Sequence, residues 1–319
     1  MKIHIPYSSW LGNIEGVLKT IDTEQPDNLE ITFDEKWISL HPVVFSIIAC
    51  LGLRAIKYGG TIEITANDTL KTQLKKIGLL NILKIDESAL ERDLTGKYIP
   101  LTQITDRTRL TEIIQELVPL LHCSPEQADP IKYVLSEMIR NVLEHSTSSN
   151  GAIICAKYFK KSNRISIGIT DYGIGIKQSL TRFHNPENNA EALKLALTPG
   201  ITGTTSKIGG TEYNAGAGLF FTKSIAKVSN NFFMLFSGDT LYRLKKDKDI
   251  NDTELHSNPL EDNCTIKSLN INWRGTIVGF DISLDNQKEF NDLLSKIREV
   301  YYLDLKVRKR EKYKKPNFS

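Results

Sequence analysis

The stretch "YVLSEMIRNVLEHS", residues 133–146, decides how the chain is read. Glu137, Asn141 and His145 recur every four residues, and side chains so spaced share one face of an α-helix. Leu135, Met138, Ile139, Val142 and Leu143 cover the rest. The spacing predicts a helix with an apolar side and a short polar ladder. A surface helix showing polar groups to water is the plain alternative.

The sequence downstream supplies further polar and glycine signals. "GAIICAKYF" and "RISIGITDYGIGI" read as strands, and Ile165, Ile167 and Ile169 alternate with Ser166, Gly168 and Thr170 in the second. That strand ends at Asp171, followed by Gly173 and Gly175. A carboxyl at a strand end can accept a hydrogen bond from an exocyclic amine. Glycines two apart let backbone approach a flat ligand or take left-handed conformations. A tight turn with an Asp cap satisfies the same pattern. Residues 178–215 are rich in Gly, Thr and Asn, with a helical patch at "AEALKLAL", and read as a lid or a disordered loop. Gly216 and Gly218 then open the helix "GAGLFFTKSIAKVS". A glycine-rich loop feeding a helix N-terminus is an anion site; a flexible hinge is the alternative. "NFFMLFSG" and "GTIVGFDISL" read as strands around a polar insertion, about 239–272, to which no structure is assigned.

The first hundred residues alternate strand and helix. "NLEITFDE" and "TIEITAND" are alternating strands. "HPVVFSIIACLGLRAIKYGG" carries helix start and stop signals at Pro42 and at Gly59–Gly60. "DTLKTQLKKIGLLNIL" is amphipathic, with Asp68 as N-cap. This order implies a parallel strand pair with a right-handed crossover. Gly and Pro in "DLTGKYIPLTQIT" place a boundary near residue 98.

Composition bounds the class. The chain has 319 residues, 40% hydrophobic and 25% charged, which suits two ordinary domains. A net charge of +3 does not by itself imply a polyanion partner. The four cysteines are scattered without a Cys/His cluster, so no zinc site is expected. Cys50 and Cys155 lie in apolar runs and read as buried free thiols, which fits a reducing compartment. "MKIHIPYSSWLGNIEG" has no signal-peptide h-region, and the longest apolar run, "PVVFSIIACLGL", is too short to span a bilayer. A soluble cytoplasmic protein, with no membrane partner, is the expectation.

Taken in order, "EMIRN" (137–141), "DYGIG" (171–175), a Gly/Thr-rich lid, "GAGL" (216–219) and "GT" (275–276) resemble the GHKL ATPase superfamily. That superfamily holds gyrase, heat-shock chaperones of the ninety-kilodalton class, histidine kinases and the MutL repair proteins. The resemblance covers about 99–285. It implies ATP and Mg²⁺ as cofactors and an α+β fold, the two-layer α/β sandwich of that type. By resemblance Glu137 is the catalytic group that orients or deprotonates the attacking water or hydroxyl, and Asn141 supplies an oxygen to Mg²⁺. Asp171 reads the adenine amino group, and Gly173 and Gly175 shape the base pocket. Gly216, Gly218, Leu219 and the helix they open hold phosphates, and Thr276 reaches the adenine side. His145 caps the ladder, touches a phosphate, or is a structural helix-end histidine.

The departures choose among branches. Histidine kinases carry Asn where this chain has Glu137, and "LLHCSPEQ" around His122 does not resemble their phospho-acceptor box. The gyrase and repair branches add a second domain, and the residues after "GTIVGFDISL" are too few for one. The nearest resemblance is to the anti-sigma-factor serine kinases, which act on partners with STAS domains. The N-terminal order, strand–"WISLHP"–apolar helix–strand, is itself similar to a smaller STAS-like α/β domain, with Ser39 near the acceptor position and His41 and Pro42 where Ser-Gly is expected. A generic α/β cap on the ATPase part is the alternative. The expected organisation is 1–98 STAS-like, 99–300 ATP-binding with a lid at about 178–215, and 301–319 a basic tail. The expected function is a Mg²⁺-dependent, ATP-binding regulator that hydrolyses ATP slowly or phosphorylates a protein Ser/Thr, switching a partner surface by lid closure. Left open are a nucleotide-gated binding module without turnover, a homodimer, and a nucleic-acid-stimulated ATPase using the basic tail, which a solvated helix end explains as well.

Overall fold

The computed structural model describes residues 1–22, 28–34, 39–86, 98–117, 125–209, 216–249, 254–284 and 290–313. Its N-terminal part opens with β1 (Lys2–Ile5), β2 (Ser8–Ser9), α1 (Glu15–Leu18), β3 (Leu29–Phe33) and β4 (Ser39–Leu40). Next come α2 (Pro42–Lys57), β5 (Ile62–Thr65), α3 (Asp68–Lys76) and α4 (Leu79–Ile82). The strands form a parallel sheet in the order β1-β3-β5, with Ile31 opposite Ile3 and Ile64, and a small parallel β2-β4 pair. The parallel pair expected from "NLEITF" and "TIEIT" is therefore present, and β1 adds a third strand. The N-cap of α3 is Asn67, not Asp68: Asn67 Oδ1 accepts from Leu70 N–H at 2.9 Å.

The second part contains β6 (Tyr98–Ile104), α5 (Arg107–Leu117), α6 (Pro125–Asn141), β7 (Ala152–Phe159) and β8 (Arg164–Thr170). It continues through α7 (Gly175–Thr181), α8 (Asn189–Ala196), α9 (Gly218–Val228), β9 (Phe233–Leu244), β10 (Cys264–Ser283) and α10 (Phe290–Tyr313). Its strands make one antiparallel sheet in the order β6-β7-β8-β10-β9. The chain is thus a mixed α/β protein with one parallel and one antiparallel main sheet. Tyr98–Ile104, which follows the boundary placed near residue 98, is an edge strand. An edge tolerates Pro100, and the ladder is irregular between Ile99 and Thr102.

Alternation divides the antiparallel sheet into two buried faces. Ile154, Ile167, Ile169, Leu235 and Phe280 pack under α6, α8, α9 and α10. Ile153, Cys155, Met234, Phe236 and Ile277 face the other way, into one core with α2 and β1-β3-β5. The expected two-layer sandwich describes only the first face, because the second is covered by the N-terminal part. Twelve of the sixteen residues of α2 are buried, as an all-round apolar helix requires. Gly168 and Gly279 admit it: a Cβ on Gly168 would run into the Val43 backbone, and one on Gly279 would lie 3.3 Å from Val43 Cβ.

Two sequence boundaries shift. The basic tail expected from residue 301 begins in mid-helix: α10 runs from Phe290, and Ile297, Tyr301 and Leu305 on one face are buried. Tyr301 lies 6.3 Å from Phe220 and 6.0 Å from Phe221 of α9, ring to ring. Both ends of the polar insertion are strand, since β9 runs to Leu244 and β10 starts at Cys264. Cys50 and Cys155 are buried free thiols. His122 and Cys123, residues 210–215 of the expected lid and the last six residues lie outside the described residues. Among the described residues no helix is long and apolar enough to cross a membrane.

Candidate functional site

The polar ladder lies at the end of α6, and that end is not plain α-helix. Over Val142–Ser146 the turn widens to a π-helix, closed by Thr147 at φ 51°. Such single-turn π segments recur at functional sites. Asn141 and His145 both line a cleft of about 810 Å³, counted to its open mouth, between α6, α7 and the start of α9. Asp171, Gly175, Gly216, Gly218, Leu219 and Thr276 line the same cleft. Its apolar walls include Met138, Ile169, Leu180 and Val278. Eight of the ten sequence-predicted residues therefore converge from four separated segments. A mostly apolar cleft with a few convergent polar groups suits a small-molecule ligand.

The other two stand just behind the cleft. Gly173 is a scaffold residue: its N–H donates to Asp171 Oδ1 at 2.8 Å, and a Cβ there would collide with the Ser146 carbonyl. The next residue, Ile174, donates its N–H to that carbonyl at 2.8 Å. The D-x-G-x-G turn is thus fastened to the end of the polar-ladder helix. Glu137 is ion-paired with Arg140 one turn on. Its other side borders the start of α9: a Cβ on Gly218 would lie 3.0 Å from Glu137 Oε2 and 3.2 Å from Asn141 Nδ2. Gly218 is the residue that lets the glycine loop approach the ladder.

Asp171 is buried at the cleft floor, 1% exposed. Burial pushes its carboxyl up to about 7, against the opposing pull of hydrogen bonds from Gly173 and Thr276. Its backbone is held twice, by its own N–H to the Thr276 carbonyl at 2.9 Å and by Trp273 Nε1 donating to its carbonyl at 3.1 Å. Ser237 completes the frame, accepting from Ile176 N–H at 3.0 Å and donating to the Gly275 carbonyl at 2.7 Å. Burial also holds the His145 imidazole below its ordinary pKa, against the opposing charge of Glu144, and so favours the neutral ring.

Sequence reading missed Ser146, Ser237, Trp273 and Arg140. Ser237 and Trp273 act through strands distant in sequence, and no local pattern marks them. Arg140 lies inside "EMIRN" at the i+3 spacing that pairs with Glu137, so its signal was present.

The expected lid is only partly loop. Residues 189–196 form α8, and Ala192, Leu193 and Leu197 are fully buried. From Pro199 to Gly209 the described residues form turns around an isolated Thr202–Thr205 bridge, and Gly200 N–H donates to the Gly216 carbonyl at 2.9 Å. Leu305 of α10 packs on Gly200 and Gly209, and the Arg308 guanidinium donates to the Pro199 carbonyl.

The donor set can be tested against ATP and Mg²⁺. The apolar walls, the buried Asp171 carboxyl and the close fit of Gly218 on the ladder suit a flat base and an anionic tail. Among the described residues no three His, Cys, Asp or Glu side chains cluster as a metal site. Mg²⁺ does not need one: it keeps several waters and takes one or two protein oxygens with substrate phosphates. Asn141 with Glu137 behind it fits that pattern. No family profile matches the chain, and no curated protein matches it in sequence.

Proposed function

We propose that the chain is a Mg²⁺-dependent, ATP-binding regulatory protein of the GHKL type that hydrolyses ATP slowly or phosphorylates a protein Ser or Thr. The carrying observation is the convergence of Asn141, Asp171, Gly216, Gly218 and Thr276 on one cleft. Asp171 would accept from the base amine, and the apolar walls would hold the ring and exclude water. Gly218 and the first turn of α9 would face the phosphates, where free N–H groups favour negative charge. Asn141 would hold Mg²⁺, which when bound offsets phosphate charge. Glu137 would orient and take the proton from the attacking hydroxyl. The lid read from the sequence at about 178–215 would close over the tail and change the surface a partner reads.

The N-terminal part is better read as a cap than as a free docking module. Its helix α2 is buried on the sheet, and the acceptor candidate Ser39 is half-buried, its Oγ accepting from Trp10 Nε1 at 3.0 Å.

One contact favours a second reading, a nucleotide-gated binding module without turnover: Glu137 is bound by Arg140. A single experiment separates the two. Purified protein is incubated with terminally radiolabelled ATP and Mg²⁺, alone and with lysate, beside Glu137→Ala. Labelled protein or released phosphate, absent in the variant, supports turnover. ATP retention without either supports the gated module. No ATP retention at all overturns both.

A further inference from the structure

We propose that a second groove, between α7 and the β9–β10 hairpin, binds an acidic segment of a protein partner. This groove encloses about 1180 Å³, counted to its open mouth, and lies on the far side of the Ile174–Gly175 turn from the cleft. Three cations line it, Lys177, Arg182 and Arg274, together with the amides of Gln178, Asn189 and Asn272. Among the described residues no Asp or Glu lines it.

The cations keep their charge for a ligand. Lys177 Nζ donates to a neutral acceptor, the Glu187 carbonyl, at 2.8 Å. The Arg182 guanidinium lies 5.1 Å from the Phe183 ring centroid, a contact that leaves its charge uncompensated. Arg274 is exposed and forms no ion pair among the described residues. The nearby carboxylate of Asp239, half-buried beside the groove, is held by three neutral donors, Asn189 at 2.8 Å, Thr240 at 2.8 Å and Ser268 at 2.6 Å.

The sheet is shaped to open this groove. The β9–β10 register shifts between Ser268 and Trp273 and again between Trp273 and Thr276. Bulges of this kind re-aim side chains. Here the two-residue alternation of the strand continues through them and leaves Asn272 and Arg274 exposed and Trp273 inward, 1% exposed. The lining therefore offers no open aromatic face among the described residues, and single-stranded nucleic acid needs such faces for its bases. Cations spaced by the amides of Gln178 and Asn272 suit an extended polypeptide, whose carboxylates take the charges and whose backbone takes the amides. Gly175 lines both this groove and the cleft, so a partner here touches the turn that carries Asp171.

The test needs no nucleotide and is independent of the function proposed above. Full-length protein is titrated against a fluorescein-labelled poly-glutamate peptide at low salt, read by anisotropy. The expected result is saturable, salt-sensitive binding, weakened about tenfold or more in R182E/R274E, with an intermediate loss in R182Q/R274Q. Thermal melts of both variants should match wild type, and if the charge reversal fails to fold, the glutamine pair decides. The control K306E/R310E, on the exposed side of α10, should bind as wild type. Equal affinity in wild type and both groove variants overturns the proposal. So does a loss confined to K306E/R310E, or binding of an oligothymidylate in place of the peptide.

Discussion

His41 Nε2 lies 3.3 Å from Asp281 Oδ1, a contact between residues 240 positions apart that joins the N-terminal part to the antiparallel sheet. His41 is the N-cap of α2 and its Nδ1 accepts from Val43 N–H at 3.1 Å, so Nε2 carries the proton that Asp281 receives. Ser166 Oγ donates to the same carboxylate oxygen, and Arg164 lies 3.8 Å from the other. Burial alone would raise the Asp281 pKa, but the hydrogen bond from His41, the Arg164 charge and the Ser166 hydroxyl outweigh it and hold it below the usual carboxylate value. A lowered carboxyl stabilises the fold above its unfolded pKa, about 3.9, and that contribution is lost as pH falls through the lower folded value. Asp281→Asn should cost about 3 kcal/mol at neutral pH, the scale for removing one partner of a buried pair. Urea melts from neutral pH down to acid should show the gap between wild type and variant closing. A constant gap would contradict the linkage.

The fit of Gly218 against Glu137 and Asn141 makes a different prediction. Gly218→Ala places a methyl 3.1 Å from Glu137 Cβ and 3.2 Å from Asn141 Nδ2. The first of these is the base of a side chain, which cannot swing away. The variant should fold and yet lose ATP binding roughly tenfold or more, since a misplacement of this order disrupts a positioned site. Glu137→Ala should instead retain binding and lose phosphate release. Equilibrium binding of a fluorescent ATP analogue and single-turnover phosphate release separate the two variants. Wild-type binding in Gly218→Ala would remove the α9 start from the site.

Asp171 gives opposite pH signs for stability and for ligand. Its folded pKa, about 7, exceeds the unfolded carboxylate value. The folded state then holds a proton that the unfolded chain releases, so stability falls as pH rises from about 4 to 7. Asp171→Asn removes that slope and should melt about 1 kcal/mol or more above wild type at pH 8, relative to the difference at pH 5. Base binding should run the other way in wild type, tightening as the carboxylate ionises and accepts more strongly. Parallel melts and binding isotherms across pH 5–9 check both. The same slope in Asp171→Asn would assign the titration to another group.

These residues also show what the sequence could and could not reveal. Glu137 and Asn141 were legible because α6 repeats them at its own period, and His145 follows at the same spacing in the π turn that ends it. Gly216 and Gly218 were legible because they directly precede an apolar helix. The all-apolar run at 42–52 predicted a helix, and its lack of a polar face is why it ended buried between two sheets. Tyr98–Ile104 was obscured by Pro100, which argues against a strand except at an edge. In α10 the dense charge hid Ile297, Tyr301 and Leu305, although their spacing of four is helical. Ser237 and Trp273 left no trace, because their roles arise only where β9 and β10 meet the turn after β8.

The burial of that α10 face predicts that the C-terminal helix is not dispensable. Leu305 packs on Gly200 and Gly209, in the turns that follow α8. Leu305→Ala should cost about 2 kcal/mol, the low end for a buried leucine. Part of that loss should be local, so limited proteolysis should cut near residues 200–209 several-fold faster than in wild type. Removal of residues 301–319 should go further and lower the melting temperature by roughly 5 °C or more, because it also strips Tyr301 from Phe220 and Phe221. A truncated chain with the wild-type melt would restore the reading of a free tail.

The deepest ion pair tests how the body of α9 is anchored. Lys223 and Asp262 are both fully buried and paired, and Lys223 Nζ also donates to the His256 carbonyl at 3.3 Å. Burial pushes the Lys223 pKa below its ordinary value, against the opposing charge and hydrogen bond of Asp262. Asp262 Oδ1 has no hydrogen-bond partner among the described residues, so the pair is incompletely satisfied. One turn along, Lys227 meets Asp247 at 2.5 Å. Both carboxylates come from the stretch between β9 and β10, which these bonds hold to α9. Lys223→Met should cost about 3–5 kcal/mol, because it leaves Asp262 buried and charged without its partner. The double variant Lys223→Met/Asp262→Leu should recover most of that loss, since an apolar pair of similar volume removes two desolvation penalties and one orphan oxygen. Urea denaturation of the two singles and the double forms a complete cycle. A double variant no more stable than Lys223→Met would show that the pair positions the segment after β9 through geometry that apolar packing does not reproduce.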